Sequence, residues 1–99
     1  GVLISCNLVL DTRRHKVTLN DVELELKPRE FQLLSLFMSN IGLVLTRNEI
    51  LDELWGQEFI GDLRSVDVHV RWLRVRLEDD SSNPKRLMTV RGVGYRFEG

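Results

Sequence analysis

At 99 residues, 42% hydrophobic, with a formal net charge of −1 and one cysteine, the chain has room for one small domain (1–99) and excludes a disulfide framework and a multi-thiolate metal site. No apolar run reaches membrane-spanning length, and no progression of basic, apolar and small residues opens the chain, so the expectation is a soluble, cytoplasmic domain. The charge is polarised: residues 1–60 carry six basic and nine acidic side chains, residues 61–99 eight and six, which lets one face dock on phosphate while the other is repelled.

Leu3 to Leu10 is apolar with partial alternation, and Lys16 to Leu19 and Val22 to Leu26 are short alternating runs separated by Asn20-Asp21. Asn and Asp both tolerate left-handed backbone angles, so the pair predicts a tight hairpin turn in an opening antiparallel sheet. In Val22-Glu-Leu-Glu-Leu26 the valine and leucines are expected to face the core and the glutamates the solvent. Pro28 suits a first helical turn, and the helix it opens runs to Asn40. Its apolar stripe is Phe31, Leu34, Phe37 and Met38, broadened by Leu33, Leu36 and Ile41. Asn40 and Gly42 end it, and Leu43-Val-Leu45 is a small strand or an extended link.

Thr46-Arg-Asn-Glu49 is a capping box, in which Thr46 accepts an amide three residues on and Glu49 accepts the cap amide. The helix behind it runs to about Trp55 and buries Ile50, Leu51 and Leu54. Residues 56–63 form a loop in which Phe59 and Ile60 are expected to pack beneath the tip. In Arg64 to Glu78, Val66, Val70, Leu73 and Leu77 fall at spacings of four, three and four, one buried helical stripe. The opposite face carries Arg64, Val68, Arg71, Trp72 and Val75, with Arg74 and Arg76 on the flanks. Arginines mixed with tryptophan and valine suit a face laid against nucleic acid, and a helix of about 22 Å fits a major groove. Asn83-Pro84 stops the chain after this helix. Leu87 to Arg91 and Tyr95 to Glu98 read as strands joined around Gly92-Val93-Gly94, both glycines being available for positive φ. The fold class is α+β: an N-terminal antiparallel sheet, three helices and a C-terminal β-hairpin, the second and third helices forming a helix-turn-helix and the hairpin a wing beside them.

Blander readings stand beside these. The third helix can be a surface helix whose arginines pair with Asp67, Glu78 and Asp79, and the domain can be a winged-helix protein-interaction module that binds an acidic partner without touching DNA. His69 has no cysteine, histidine or carboxylate cluster at ligand spacing beside it, and His15 is read as an exposed turn residue. Asp67 is expected to pair with a neighbouring arginine. Trp55 is open between a core role and a phosphate donor through its indole N–H. With no triad, no metal cluster and no nucleotide loop, the chain is read as non-enzymatic, with no cofactor.

Three segments in order, Leu45 to Gly56, Arg64 to Arg74 and Thr89 to Phe97, resemble the effector domain of OmpR/PhoB-type response regulators, and the likeness spans essentially the whole chain. The resemblance implies a winged helix-turn-helix with a four-stranded leading sheet, regulating transcription in a bacterial two-component system by binding double-stranded DNA at direct repeats. It puts Val68, Arg71, Trp72 and Val75 toward the major groove, Arg64, His69 and Arg74 near phosphates, Arg47, Trp55 and Tyr95 on the DNA backbone, and Thr89 and Arg91 on the wing at the minor groove. It implies further partners: a receiver domain missing from these residues, and RNA polymerase through loop 56–63. Where some relatives have a base-reading arginine this chain has Trp72, whose indole cannot make a bidentate bond to guanine, so its role is open between stacking on sugar, touching a thymine methyl and packing on its neighbours.

Overall fold

The computed structural model describes residues 1–56 and 62–99; Phe59 and Ile60 lie outside those residues, and with them the expectation that they pack beneath the loop tip. The chain opens with strands β1 (Val2–Ser5), β2 (Leu8–Asp11), β3 (Lys16–Leu19) and β4 (Val22–Leu24), paired in that order as one antiparallel sheet. The run from Leu3 to Leu10 divides at Cys6-Asn7, where Cys6 takes φ 54°, so it forms a hairpin of its own. Asn20 and Asp21 turn as expected, with φ 52° and 64°. Register places Leu3, Leu10, Val17 and Leu24 in one row across the sheet, and Leu10 and Val17 in its middle are sealed. Val22 departs from expectation and is 65% exposed: it begins the edge strand at a corner of the sheet, where period-two alternation still sets its direction but no element covers it.

Helix α1 (Pro28–Met38) touches β1, the two later helices and the last strand, and buries Phe31, Leu33, Leu34, Phe37 and Met38. Its stripe ends before Ile41, which is 44% exposed past the helix terminus. Glu30 is completely buried in the first turn, where Oε1 accepts the Lys27 N–H at 2.8 Å and Oε2 lies 3.8 Å from Arg76 Nε. Strand β5 (Val44–Thr46) then runs directly into helix α2 (Arg47–Trp55), and the Thr46–Glu49 capping box is made in both directions, at 3.1 and 3.0 Å.

Helix α3 (Arg64–Leu77) buries Val66, Val70, Leu73 and Leu77, the stripe read from the sequence. Strands β6 (Leu87–Val90) and β7 (Gly94–Phe97) form the hairpin, and β5 joins it in a second sheet of order β5-β7-β6. The two hairpin glycines have different work. Gly92 has φ 75° in the turn, whereas Gly94 is a strand residue without positive φ, and a Cβ on it would stand 2.0 Å from the Leu45 carbonyl oxygen. Gly94 is therefore there for close approach of β5 to β7, which corrects its reading as a turn residue. No helix among the described residues is long and apolar enough to cross a membrane.

Candidate nucleic-acid interface

Because the four core residues of α3 lie on one side, the period of the helix turns Arg64, Val68, Arg71, Trp72 and Val75 outward. Val68, Trp72 and Val75 are 39%, 40% and 62% exposed, and they are the large apolar side chains that α3 leaves in solvent. Arg71 is exposed between them and makes no hydrogen bond or ion pair among the described residues. Arg64 stands at the start of the helix, paired with Asp62 at 2.7 Å; Asp62 also accepts the Arg64 N–H, and this partner raises the guanidinium pKa while lowering that of the carboxyl.

Trp72 does not stand alone. Lys27 Nζ lies 4.5 Å over its ring, the His69 ring is 5.0 Å away, and Trp55 meets His69 edge-on at 5.1 Å, with Arg29 5.3 Å from the Trp55 ring. An aromatic row thus runs from the middle of α3 to the end of α2, with a cation from the start of α1 over each tryptophan. His69 Nδ1 lies 2.7 Å from the Ser65 carbonyl oxygen, an arrangement that requires Nδ1 to carry the proton and donate. His69 is held by its own helix and by two indoles, which suits orienting the row.

The remaining expected residues fall into two buttresses. In one, Arg47 Nε donates to Asp67 Oδ1 at 2.8 Å, the buried Tyr95 hydroxyl donates to the same oxygen, and the Arg47 guanidinium lies 5.7 Å from the Tyr95 ring. Asp67, then Tyr95, raise the Arg47 pKa; burial first, and then Asp67, raise that of the Tyr95 phenol. In the other, Arg74 Nε donates to the Leu87 carbonyl at 3.0 Å and Nη2 to Thr89 Oγ1 at 2.8 Å, fastening α3 to the wing. Arg91 is exposed at the wing's turn and makes no hydrogen bond or ion pair among the described residues.

The structure therefore gathers Arg64, Val68, Arg71, Trp72 and Val75 on one open face. It binds Arg47 and Tyr95 to Asp67, and Arg74 to Thr89, behind the edges of that face. Sequence reasoning did not find Lys27 or Arg29, which belong to α1 and reach the tryptophans only through tertiary packing. It also missed Glu78, whose carboxylate accepts the N–H groups of Lys85, Arg86 and Leu87 and so begins β6 in place of pairing with an arginine of α3.

Residues 21–97 match the family model described as transcriptional regulatory protein, C terminal. The sensory transduction protein RegX3 of Mycobacterium tuberculosis is 46% identical over 99 residues, covering 100% of this chain and 44% of that protein. The chain thus spans under half the length of such RegX3 relatives. Among solved structures, the response regulator DrrB of Thermotoga maritima, an OmpR/PhoB homologue, superposes with a TM-score of 0.92 at 32% identity, over 100% of this chain and 45% of that one. The Klebsiella pneumoniae RstA DNA-binding domain, solved in complex with the RstA box, superposes with a TM-score of 0.89 at 31% identity, over 98% of this chain and 96% of that one.

Proposed function

The chain belongs to the family of transcriptional regulatory protein C-terminal domains, of the OmpR/PhoB type, and on that footing we propose that it binds double-stranded DNA sequence-specifically as the output domain of a two-component response regulator. One observation carries the reading: the outward face of α3 combines Arg64 and Arg71 with exposed Val68, Trp72 and Val75, and among the described residues no other element buries it. The RstA domain, solved on its DNA, is similar over nearly all of both chains and supports this.

In the proposed complex α3 lies in the major groove, with Arg71 on a base edge or phosphate and Arg64 on the backbone. Arg47, Trp55 and the N-terminal end of α1 face the phosphates on one side, and the wing carries Thr89 and Arg91 to the adjacent minor groove. Arg74, His69 and Tyr95 act mainly from behind, by holding the wing, the indoles and Arg47. A module of this size covers about 600–1,000 Å² of its own surface, so a single copy binds modestly and tandem copies on direct repeats about one helical turn apart bind better. The rest of the full-length protein supplies a receiver domain that takes the signal, residues 56–63 meet RNA polymerase, and the chain itself catalyses nothing.

The test is a salt titration with nonspecific duplex. Log affinity is expected to fall linearly with log salt, with slope about −0.9 per neutralised phosphate. Absence of binding at low salt would overturn the reading in favour of a protein-interaction module.

A further inference from the structure

The apolar part of the α3 face has no electrostatic explanation. Arginines alone would hold phosphate, yet Val68, Trp72 and Val75 stand exposed at spacings of four and three, which align them as one ridge along the helix. Seven residues at about 1.5 Å each make the ridge roughly 10 Å long, which matches about three base steps at about 3.4 Å. The floor of a major groove presents donors and acceptors at every base pair, and its one apolar feature is the 5-methyl group of thymine. A valine against a carbonyl or amino group desolvates it without return, whereas against a methyl it gains apolar contact.

Trp72 is held by its neighbours. Lys27 lies over its ring at 4.5 Å and the His69 ring is 5.0 Å away, so part of the indole is covered and the 40% of the residue left exposed is what remains for contact with the groove. The guanidinium of Arg71, next to it and exposed, supplies the polar contact on the same face.

We propose that Val68, Trp72 and Val75 are specificity-determining residues that read thymine methyl groups, so that the preferred duplex has a short T·A-rich step facing the ridge. The inference rests on the DNA-binding reading above and adds what the face selects.

Duplexes would be selected from a random pool with the 99-residue chain, and each thymine in the bound sequence then replaced by deoxyuridine, which removes only the methyl. Two to four adjacent or near-adjacent positions are expected to lose affinity on replacement, by about fourfold for each methyl, the value of one buried methylene-sized group. Trp72→Ala, Val68→Ala and Val75→Ala should each abolish that sensitivity at one position while leaving it at the others, a readout that loss of general stability does not produce. The inference is overturned if deoxyuridine duplexes bind as tightly as thymine duplexes, if the selected sites carry no thymine there, or if the variants keep the full sensitivity. Failure to bind any duplex at low salt would instead remove the DNA-binding reading, and this inference with it.

Discussion

The Nε–H of Arg47, first residue of α2, points at Oδ1 of Asp67 on α3 across 2.8 Å, and the Tyr95 hydroxyl from β7 donates to the same oxygen. One carboxylate joins both helices of the helix-turn-helix to the wing sheet. The ion pair is more than one-third exposed on each side, so solvent screening leaves it worth little by itself, and the Tyr95 hydroxyl stranded by its loss matters more. Asp67→Ala is therefore expected to cost about 1–2 kcal/mol, a fall in Tm of about 4–8 °C per kcal/mol for a domain of this size. The same change removes a negative charge beside the binding face and frees Arg47, so nonspecific duplex affinity should rise as stability falls. A fall in both, measured by melting and by titration, would show that Asp67 holds Arg47 in the pose that phosphate needs.

Tyr95 gives that hub a spectroscopic handle, because it is the sole tyrosine of the chain. Burial first, and then the hydrogen bond to Asp67, raise its pKa above the ordinary phenolic value, with Arg47 opposing. A raised folded-state pKa means that the unfolded chain loses this proton first. The phenol's contribution to stability is complete below the unfolded value of about 10 and is lost as pH rises through the folded value. An alkaline titration followed by phenolate absorbance should have its midpoint above that of a free tyrosine, and Asp67→Ala should move it back part of the way. A midpoint unmoved by that substitution would leave burial as the whole cause.

Gly94 and Gly92 should respond very differently to the same methyl group. At Gly92 the space is open and the strain is conformational, φ being 75°, so Gly92→Ala should cost about 1–2 kcal/mol. At Gly94 the new Cβ falls 2.0 Å from the Leu45 carbonyl oxygen, a backbone atom, and β5 must leave β7 to admit it. Gly94→Ala is expected to cost more than the roughly 1–3 kcal/mol of ordinary overpacking and to expose the amides of 44–46 to hydrogen exchange. Equal melting temperatures for the two variants would refute the close-approach role.

These two glycines mark where the sequence stopped being informative. Periodicity is a local signal, and it was enough for the α3 stripe, the Thr46 capping box and the Asn20-Asp21 turn, each written within a few residues. Gly94 looks like Gly92 because the reason for it, the Leu45 carbonyl, lies some fifty positions earlier in the chain. Buried Glu30 was invisible for the same cause: an acidic residue in a first turn reads as solvated until Arg76 is known to lie beside it. Lys27 over Trp72 and Asp67 under Tyr95 likewise depend on which elements the fold brings together.

Arg71 and Arg76 separate binding from folding on one helix. Arg71→Ala removes an exposed cation that makes no hydrogen bond or ion pair among the described residues, so the melting temperature should hold while the salt slope of duplex binding falls by about 0.9 if the contact is to phosphate. Arg76→Ala leaves the sealed Glu30 carboxylate without the cation 3.8 Å away. At that distance, and with Arg76 itself partly in solvent, the loss should be about 1–2 kcal/mol, below the 3–5 kcal/mol of a tight buried pair. Its effect on the salt slope should be the smaller of the two. Identical slopes and identical stabilities would erase the distinction between the groove face of α3 and its flank.

Arg74 is expected to act through the wing. Its Nε and Nη2 are committed to the Leu87 carbonyl and Thr89 Oγ1, which fixes where β6 leaves α3 and hence where Arg91 is carried. Lysine has no planar fork to make both bonds, so Arg74→Lys should keep the charge and lose the position. The proposed minor-groove preference belongs to Arg91, and Arg91→Ala should flatten the selected sequence at the flank while leaving the centre of the site intact. Arg74→Lys should flatten the same flank, and the double variant should lose little beyond the worse single, because both remove one contact. Strictly additive losses in affinity would place Arg74 on a phosphate of its own, independent of the hairpin.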